Sequence, residues 1–176
     1  MFKPEAWMFG ALLALAGGIT DWRTRRIPNW LTVPGLALGI AVNSATMGWS
    51  GLKLALLGAG TGLAILLPFV VVRSLGAGDW KLAGAIGAWL GPGRLLGVLF
   101  VTILVAGAMA LVLVVVKKRV GQTLRNLWRL VAALFTLHLP GNDLSLDDPH
   151  ALKVPFGVAM ALATVFYTAL EVWGRR

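Results

Sequence analysis

From Leu95 to Val116 the chain carries no charged residue, and Lys117, Lys118 and Arg119 follow at once. A run of about 20 apolar residues is long enough to cross the hydrocarbon core of a bilayer, roughly 30 Å thick. Shorter or more broken versions of the same pattern, apolar run and then basic cluster, recur along the chain. A mean hydropathy of +0.81 with 13% charged residues lies well outside soluble usage. The 176 residues leave room for about six spans of about 20 residues with short loops. The expected fold is therefore all-α: a polytopic membrane protein, residues 1–176 forming one integral membrane domain with six transmembrane helices.

The expected spans are about 4–20, 30–47, 52–72, 79–91, 95–116 and 154–173. The first resembles a secretory signal, down to the small residues Ala14-Leu15-Ala16. Its charges run the wrong way, because Arg23, Arg25 and Arg26 follow it while only Lys3, offset by Glu5, precedes it. Pro28 ends one helix and suits the first turn of the next. Gly48-Trp49-Ser50-Gly51 supplies a tight turn between the second and third spans. A helix over 79–91 is only about 18 Å long, too short to cross unless the backbone before it also lies at membrane depth inside protein. Between Gln122 and His138, Leu124, Leu127, Trp128, Val131, Leu134 and Phe135 recur at helical spacing, which predicts an additional interfacial amphipathic helix.

Basic residues orient this arrangement. Arg23, Arg25, Arg26, Arg73, Lys81, Lys117, Lys118, Arg119, Arg125, Arg129 and Lys153 fall on one side, and Lys3, Lys53, Arg94, Arg175 and Arg176 on the other. The first side is then cytoplasmic and both chain ends are outside. Basic clusters beside apolar runs also make nucleic acid a poor explanation for the net charge of +9. With no cysteine and only two histidines, thiol chemistry and a multi-histidine metal centre are excluded, and no metal or cofactor is expected.

The same topology brings Asp21 and Asp79 to one depth near the cytoplasmic face, one ending an outside-to-inside helix and the other starting an inside-to-outside helix. A carboxylate in an apolar setting needs a partner or a purpose. Two carboxylates a few ångströms apart in a low-dielectric site share a proton and titrate as a pair. Such a pair is acid and base at once: one carboxylate takes a proton from an attacking water while the acid form polarises a peptide carbonyl. Gly76 and Gly78, just before Asp79, let an extended strand approach closely. Pro28 and Asn29 shape the turn that presents Asp21. Lys81, close beyond Asp79, can reach an aspartate, substrate or lipid phosphate.

Gly76-Ala77-Gly78-Asp79 resembles the GxGD signature of membrane aspartyl proteases. Asp21 followed by Arg26-Ile27-Pro28-Asn29-Trp30-Leu31 is similar to the first-aspartate motif of type IV prepilin peptidases. Lys153-Val154-Pro155-Phe156-Gly157 resembles the proline-glycine start of their last helix. The chain is identified on these motifs as resembling the short, peptidase-only members associated with Flp (tight adherence) pili. The resemblance implies a multi-pass protein of the bacterial inner membrane whose Asp21 and Asp79 remove the basic leader of prepilins or pseudopilins on the cytoplasmic side. It implies no methyltransferase activity, because the cysteine-rich domain of the larger members is missing.

Plainer roles compete for these residues. Asp79 could be the N-cap of its helix, and Asp21 could pair with Arg23 or Arg25. The eight tryptophans, mostly near expected span ends, suit an aromatic belt, and Arg23, Arg25 and Arg26 suit lipid headgroups. Asp143, Asp147 and Asp148 form an acidic loop cluster, and His138 and His150 receive no role. Two other functions remain open at this point: a proton- or ion-coupled transporter using Asp21 and Asp79 at a broken helix, and a non-catalytic membrane scaffold.

Overall fold

The computed structural model describes residues 4–118 and 154–174, together with Gly121, Arg125 and Trp128, and these form helices and connecting turns with no strand among them. In chain order they are α1 (Pro4–Thr24), α2 (Asn29–Val71), α3 (Ala77–Leu90), α4 (Pro92–Val116) and α5 (Phe156–Trp173).

Straight, the 43 residues of α2 would measure about 65 Å, twice the thickness of a bilayer core. The helix breaks at Gly48, whose φ of 60° and ψ of −141° suit glycine and few other residues. Beyond the break the chain doubles back, so that Gly51 packs directly on the Asn43 carbonyl. The turn expected at Gly48–Gly51 is thus present, inside what hydrogen bonding makes one element.

The two arms of α2 clasp α3. The first arm runs parallel to it, tied by Lys81 Nζ donating to Asn29 Oδ1 (2.9 Å) at one end and Asn43 Nδ2 donating to the Ala88 carbonyl (2.8 Å) at the other. The second runs antiparallel, Gly62 resting on the Ala83 carbonyl and Gly58 on the Gly87 carbonyl, contacts that a side chain would prevent. Two indoles add interhelical bonds, Trp80 Nε1 to the Leu63 carbonyl (2.7 Å) and Trp89 Nε1 to the Gly35 carbonyl (2.9 Å). Every residue of α3 from Leu82 to Leu90 is buried. A 14-residue helix, about 21 Å long, holds this position because protein rather than lipid surrounds it.

The remaining helices close round α3. α1 packs antiparallel to α5, with Gly18 against Ala161 and Gly157, and to α3, with Gly17 against Leu82 and Gly10 against Trp89. α4 leaves α3 through Gly91 (φ 76°) and meets α5 where Gly97 lies under Tyr167 and Arg94 pairs with Glu171 at 3.4 Å. One end of the bundle consequently gathers residues 21–29, 71–79 and 154–157. The other gathers the α2 turn, Gly91 and the end of α5.

Three helices, α2, α4 and α5, are long and apolar enough to cross a membrane, and their outward faces are apolar, as with Phe100, Ile103, Leu104 and Leu111 on α4. The protein is therefore an all-helical membrane protein. α3 is too short to qualify alone, and α1 carries Asp21 and Arg23 in its last turns. Two boundaries differ from expectation in ways that matter to the site: α1 runs on through Asp21 to Thr24, and α3 starts two residues before Asp79. The expected amphipathic helix over Gln122–His138 lies outside the described residues, apart from Arg125 and Trp128, which are helical and exposed. The acidic loop with Asp143, Asp147, Asp148 and His150 lies outside them too.

Candidate active site

Three helix ends meet at one end of the bundle: the last turns of α1 and the first turns of α3 and α5. Each contributes a group to a cluster round two carboxylates. Asp21, 7% exposed, has Oδ2 held by the backbone N–H of Gly157 at 3.0 Å. The Val158 amide and the Arg25 guanidinium also act on this carboxylate. Asp79 is enclosed by the same surroundings, with the Gly76 and Gly157 amides facing its carboxyl and Asp21 close enough for the two charges to interact. Asp21 and Asp79, far apart along the chain, therefore lie in one site, where the Gly157 amide acts on both.

Asp79 is not the N-cap of α3. That position is Gly76, in extended geometry (φ −69°, ψ 141°), and Asp79 is the third helical residue. From there its side chain folds back towards the Gly76 amide, the acidic half of a capping box. A Cβ on Gly76 would sit 3.0 Å from Asp79 Oδ2, so the small residue is what allows this folding back. The other oxygen, Oδ1, is enclosed without a hydrogen-bond partner among the described residues. Leaving an acceptor so costs on the order of 1–3 kcal/mol unless something else satisfies it. The first turns of α3 and α5 both point their free N–H groups, and the positive ends of their dipoles, at the pair.

The remaining expected site residues divide. Gly78 serves packing: a Cβ there would meet Ile27 at 3.0 to 3.2 Å. Pro28 is the N-cap of α2, and its carbonyl accepts from Leu31 (3.1 Å) and Thr32 (3.4 Å), turning the chain immediately after α1. Asn29 and Lys81 bond to each other at the exposed rim. In this arrangement Lys81 ties α2 to α3 and does not reach into the carboxylates.

Two residues of the cluster were not singled out as site residues from the sequence. Gly157 donates to Asp21 and touches it so closely that a Cβ would lie 2.9 Å from Asp21 Cβ. Ile27, 7% exposed, is wedged between Gly78 of α3 and Gly157 of α5 and spaces the three helix ends. Gly157 carried a signal, a glycine two residues after a proline at the predicted depth of the aspartates. Ile27 lay within the motif that follows Asp21, but one apolar residue among many says nothing of where it packs.

The described residues thus form an all-helical membrane bundle with two carboxylates gathered between helix ends. The type IV leader peptidase family matches residues 8–111, more than half the chain, and the chain belongs to that family. It is 32% identical over 137 residues to the prepilin leader peptidase/N-methyltransferase of Neisseria gonorrhoeae, covering 68% of this chain and 48% of that protein. It is 31% identical over 172 residues to the protein of the same name from Xanthomonas campestris pv. campestris, covering 93% of this chain and 47% of the relative. A third, from Dickeya chrysanthemi, is 35% identical over 102 residues, covering 52% and 36%. The chain thus spans about half the length, or less, of the curated relatives it matches. No solved structure matches it significantly.

Proposed function

We propose that the protein is an aspartic endopeptidase of the inner membrane that removes the basic leader from prepilin-like proteins at the cytoplasmic face, with Asp21 and Asp79 as its catalytic pair. The observation that supports this best is the shared site: two carboxylates from different helices on one backbone donor, one of them with an enclosed, unpartnered oxygen. An unpaired carboxylate oxygen is the group that would hold an attacking water. One carboxylate takes a proton from that water as its oxygen adds to the scissile carbonyl carbon. The other, as the acid, donates a hydrogen bond to the carbonyl oxygen. Collapse of the tetrahedral adduct breaks the C–N bond, and the proton passes to the leaving amine, which restores the pair with one shared proton.

Six crossings belong to this proposal: α1, the two arms of α2, α3, α4 and α5, with the carboxylate end inside, an orientation that the Arg23, Arg25, Arg26, Lys117 and Lys118 clusters support. Lipid phosphates are the proposed companions of these basic groups. The proposal covers the peptidase step alone; the names of the relatives also include methyl transfer.

The test is co-expression with a tagged prepilin in a host lacking its own peptidase, reading the mass of the pilin. Wild type removes the leader, whereas Asp21→Asn and Asp79→Asn, inserted in the membrane at equal levels, leave it in place. Cleavage by either variant would defeat the paired-carboxylate mechanism. No cleavage by wild type of any prepilin supplied would return the transporter and scaffold readings to the front.

A further inference from the structure

Thr32 lies on the inner face of the first arm of α2 and is 1% exposed. The other described threonines all donate to a carbonyl of their own helix at 2.7 or 2.8 Å. Thr32 has no such outlet. The carbonyl four residues back, that of Pro28, already accepts from the amides of Leu31 (3.1 Å) and of Thr32 itself (3.4 Å), which takes up both its lone pairs. The Thr32 hydroxyl is consequently enclosed without a hydrogen-bond partner among the described residues, and among them Asp79 Oδ1 is the one other side-chain oxygen in that condition.

Both oxygens belong to the same end of the bundle. Thr32, Gly35, Gly39 and Asn43 recur at helical spacing along the buried side of the arm. Gly35 meets Leu13 of α1, and its carbonyl accepts from Trp89 of α3, so this side faces both helices. Three residues nearer the carboxylates than Gly35, Thr32 comes level with the contact between Gly17 and Leu82. Asp21 lies four residues beyond Gly17, and Asp79 three before Leu82, which sets Thr32 one turn, about 5 Å, deeper than the pair. That offset is too long for a direct hydrogen bond and within reach of ordered water. An unpaired hydroxyl and an unpaired carboxylate oxygen are each costly in an apolar interior, and water, which both donates and accepts, satisfies the two together.

We infer that ordered water links the Thr32 hydroxyl to Asp79 Oδ1, and that Thr32 is thereby a positioning residue of the carboxylate pair. The inference rests on the peptidase reading and adds how Asp79 is held, since the Gly76 and Gly157 amides act on its carboxyl but no described group fixes Oδ1. This water lies on the inner side of Asp79, away from the exposed rim at Asn29 and Lys81, so it orients the carboxyl and is not the nucleophile. Oδ1 keeps a second lone pair for the attacking water. Misdirecting the carboxyl lowers the rate constant of the chemical step more than it weakens substrate binding.

The test uses the full chain in membranes and two variants of one residue. Thr32→Val keeps the shape and removes the hydroxyl, whereas Thr32→Ser keeps the hydroxyl. On a soluble peptide holding the leader and the scissile bond, Thr32→Val lowers kcat about tenfold with KM within about twofold, and Thr32→Ser stays within about threefold of wild type. Undiminished cleavage by Thr32→Val, a loss carried by KM alone, or an equal fall in both variants overturns the inference, the last because it marks packing rather than the hydroxyl. A second arm reads the link without catalysis. The infrared carbonyl stretch of protonated Asp79, recorded at acid pH and assigned by its loss in Asp79→Asn, shifts in Thr32→Val and holds its place in Thr32→Ser. A band unmoved in Thr32→Val rejects the link. If Thr32→Val is lost from the membrane, Thr32→Ala takes its place under the same expectations. A band that shifts as expected while wild type cuts neither peptide nor prepilin would leave the link standing and defeat the peptidase reading instead.

Discussion

At the residue scale, the site depends on groups with no side chain at all. The N–H of Gly157 fixes one Asp21 oxygen, and the missing Cβ of Gly157 makes room for Asp21 Cβ and for Ile27 Cδ1, each 2.9 Å from where that Cβ would be. Gly157→Ala is therefore expected to move the carboxylate or the start of α5 and to lower the cleavage rate constant at least tenfold, roughly 1.4 kcal/mol of barrier, with little change in membrane level. Single-turnover cleavage with the same prepilin measures it, and an unchanged rate would show that Gly157 does not position Asp21. Lys81 gives the opposite expectation. Its bond to Asn29 lies at the exposed rim, so Lys81→Met should weaken the join between α2 and α3 by under about 1 kcal/mol and leave the rate constant for peptide cleavage within a few-fold. A drop as deep as that of the aspartate variants would place Lys81 on the substrate. Asp79 and Asp21 were legible from the sequence because a carboxylate beside an apolar run is conspicuous. Ile27 was not, because nothing distinguishes a residue that spaces three helix ends from one that fills lipid-facing surface.

At the scale of the element, α3 is the helix the others assemble on. Its run of small residues has little apolar area to bury, so its attachment relies on close backbone approach and on three side-chain bonds to carbonyls: Trp80 to Leu63, Trp89 to Gly35 and Asn43 to Ala88. Asn43 is 1% exposed, and Asn43→Leu should cost about 1–2 kcal/mol in detergent unfolding, because the bonds it makes to Ala88 and Gly39 are lost where no water replaces them. Gly58→Leu should do worse. Gly58 and Gly87 meet backbone to backbone, and a side chain there forces the second arm of α2 off α3. Loss of folded protein, followed by protease resistance of the membrane fraction, is the expected result. The hairpin was legible in Gly48-Trp49-Ser50-Gly51. The shortness of α3 was legible too, and its explanation required seeing that both arms of α2 cover it.

At the scale of the molecule, the two ends differ. The end with Asp21 and Asp79 also holds Arg25, Arg73 and Lys118, each in the left-handed conformation that closes a helix (φ 53°, 56° and 54°). Cations there complement the helix dipoles as well as the charge of a membrane surface. At the other end Arg94 pairs with Glu171 at 3.4 Å and stacks 4.4 Å from the Trp7 ring, joining α1, α4 and α5. Because the chain has no cysteine, single cysteines can report which end faces which compartment. An impermeant maleimide should modify Ser74→Cys only in inside-out vesicles and Ser50→Cys only from outside intact cells. The reverse pattern would invert the topology and rule out cleavage at the cytoplasmic face.

The sequence alone determined that the chain is apolar enough for a membrane, and it carried the expectations of which way its charges orient it and of two aspartates at one depth. Those follow from the cost of burying charge and from the length of an apolar run, which are local properties. Only the tertiary structure decided that α1, α3 and α5 converge at their ends, that a glycine amide is shared by both carboxylates, and that Ile27 spaces them. Such contacts depend on which small residues let which backbones touch, and in a membrane, where all outward faces are apolar alike, hydrophobicity does not choose between them.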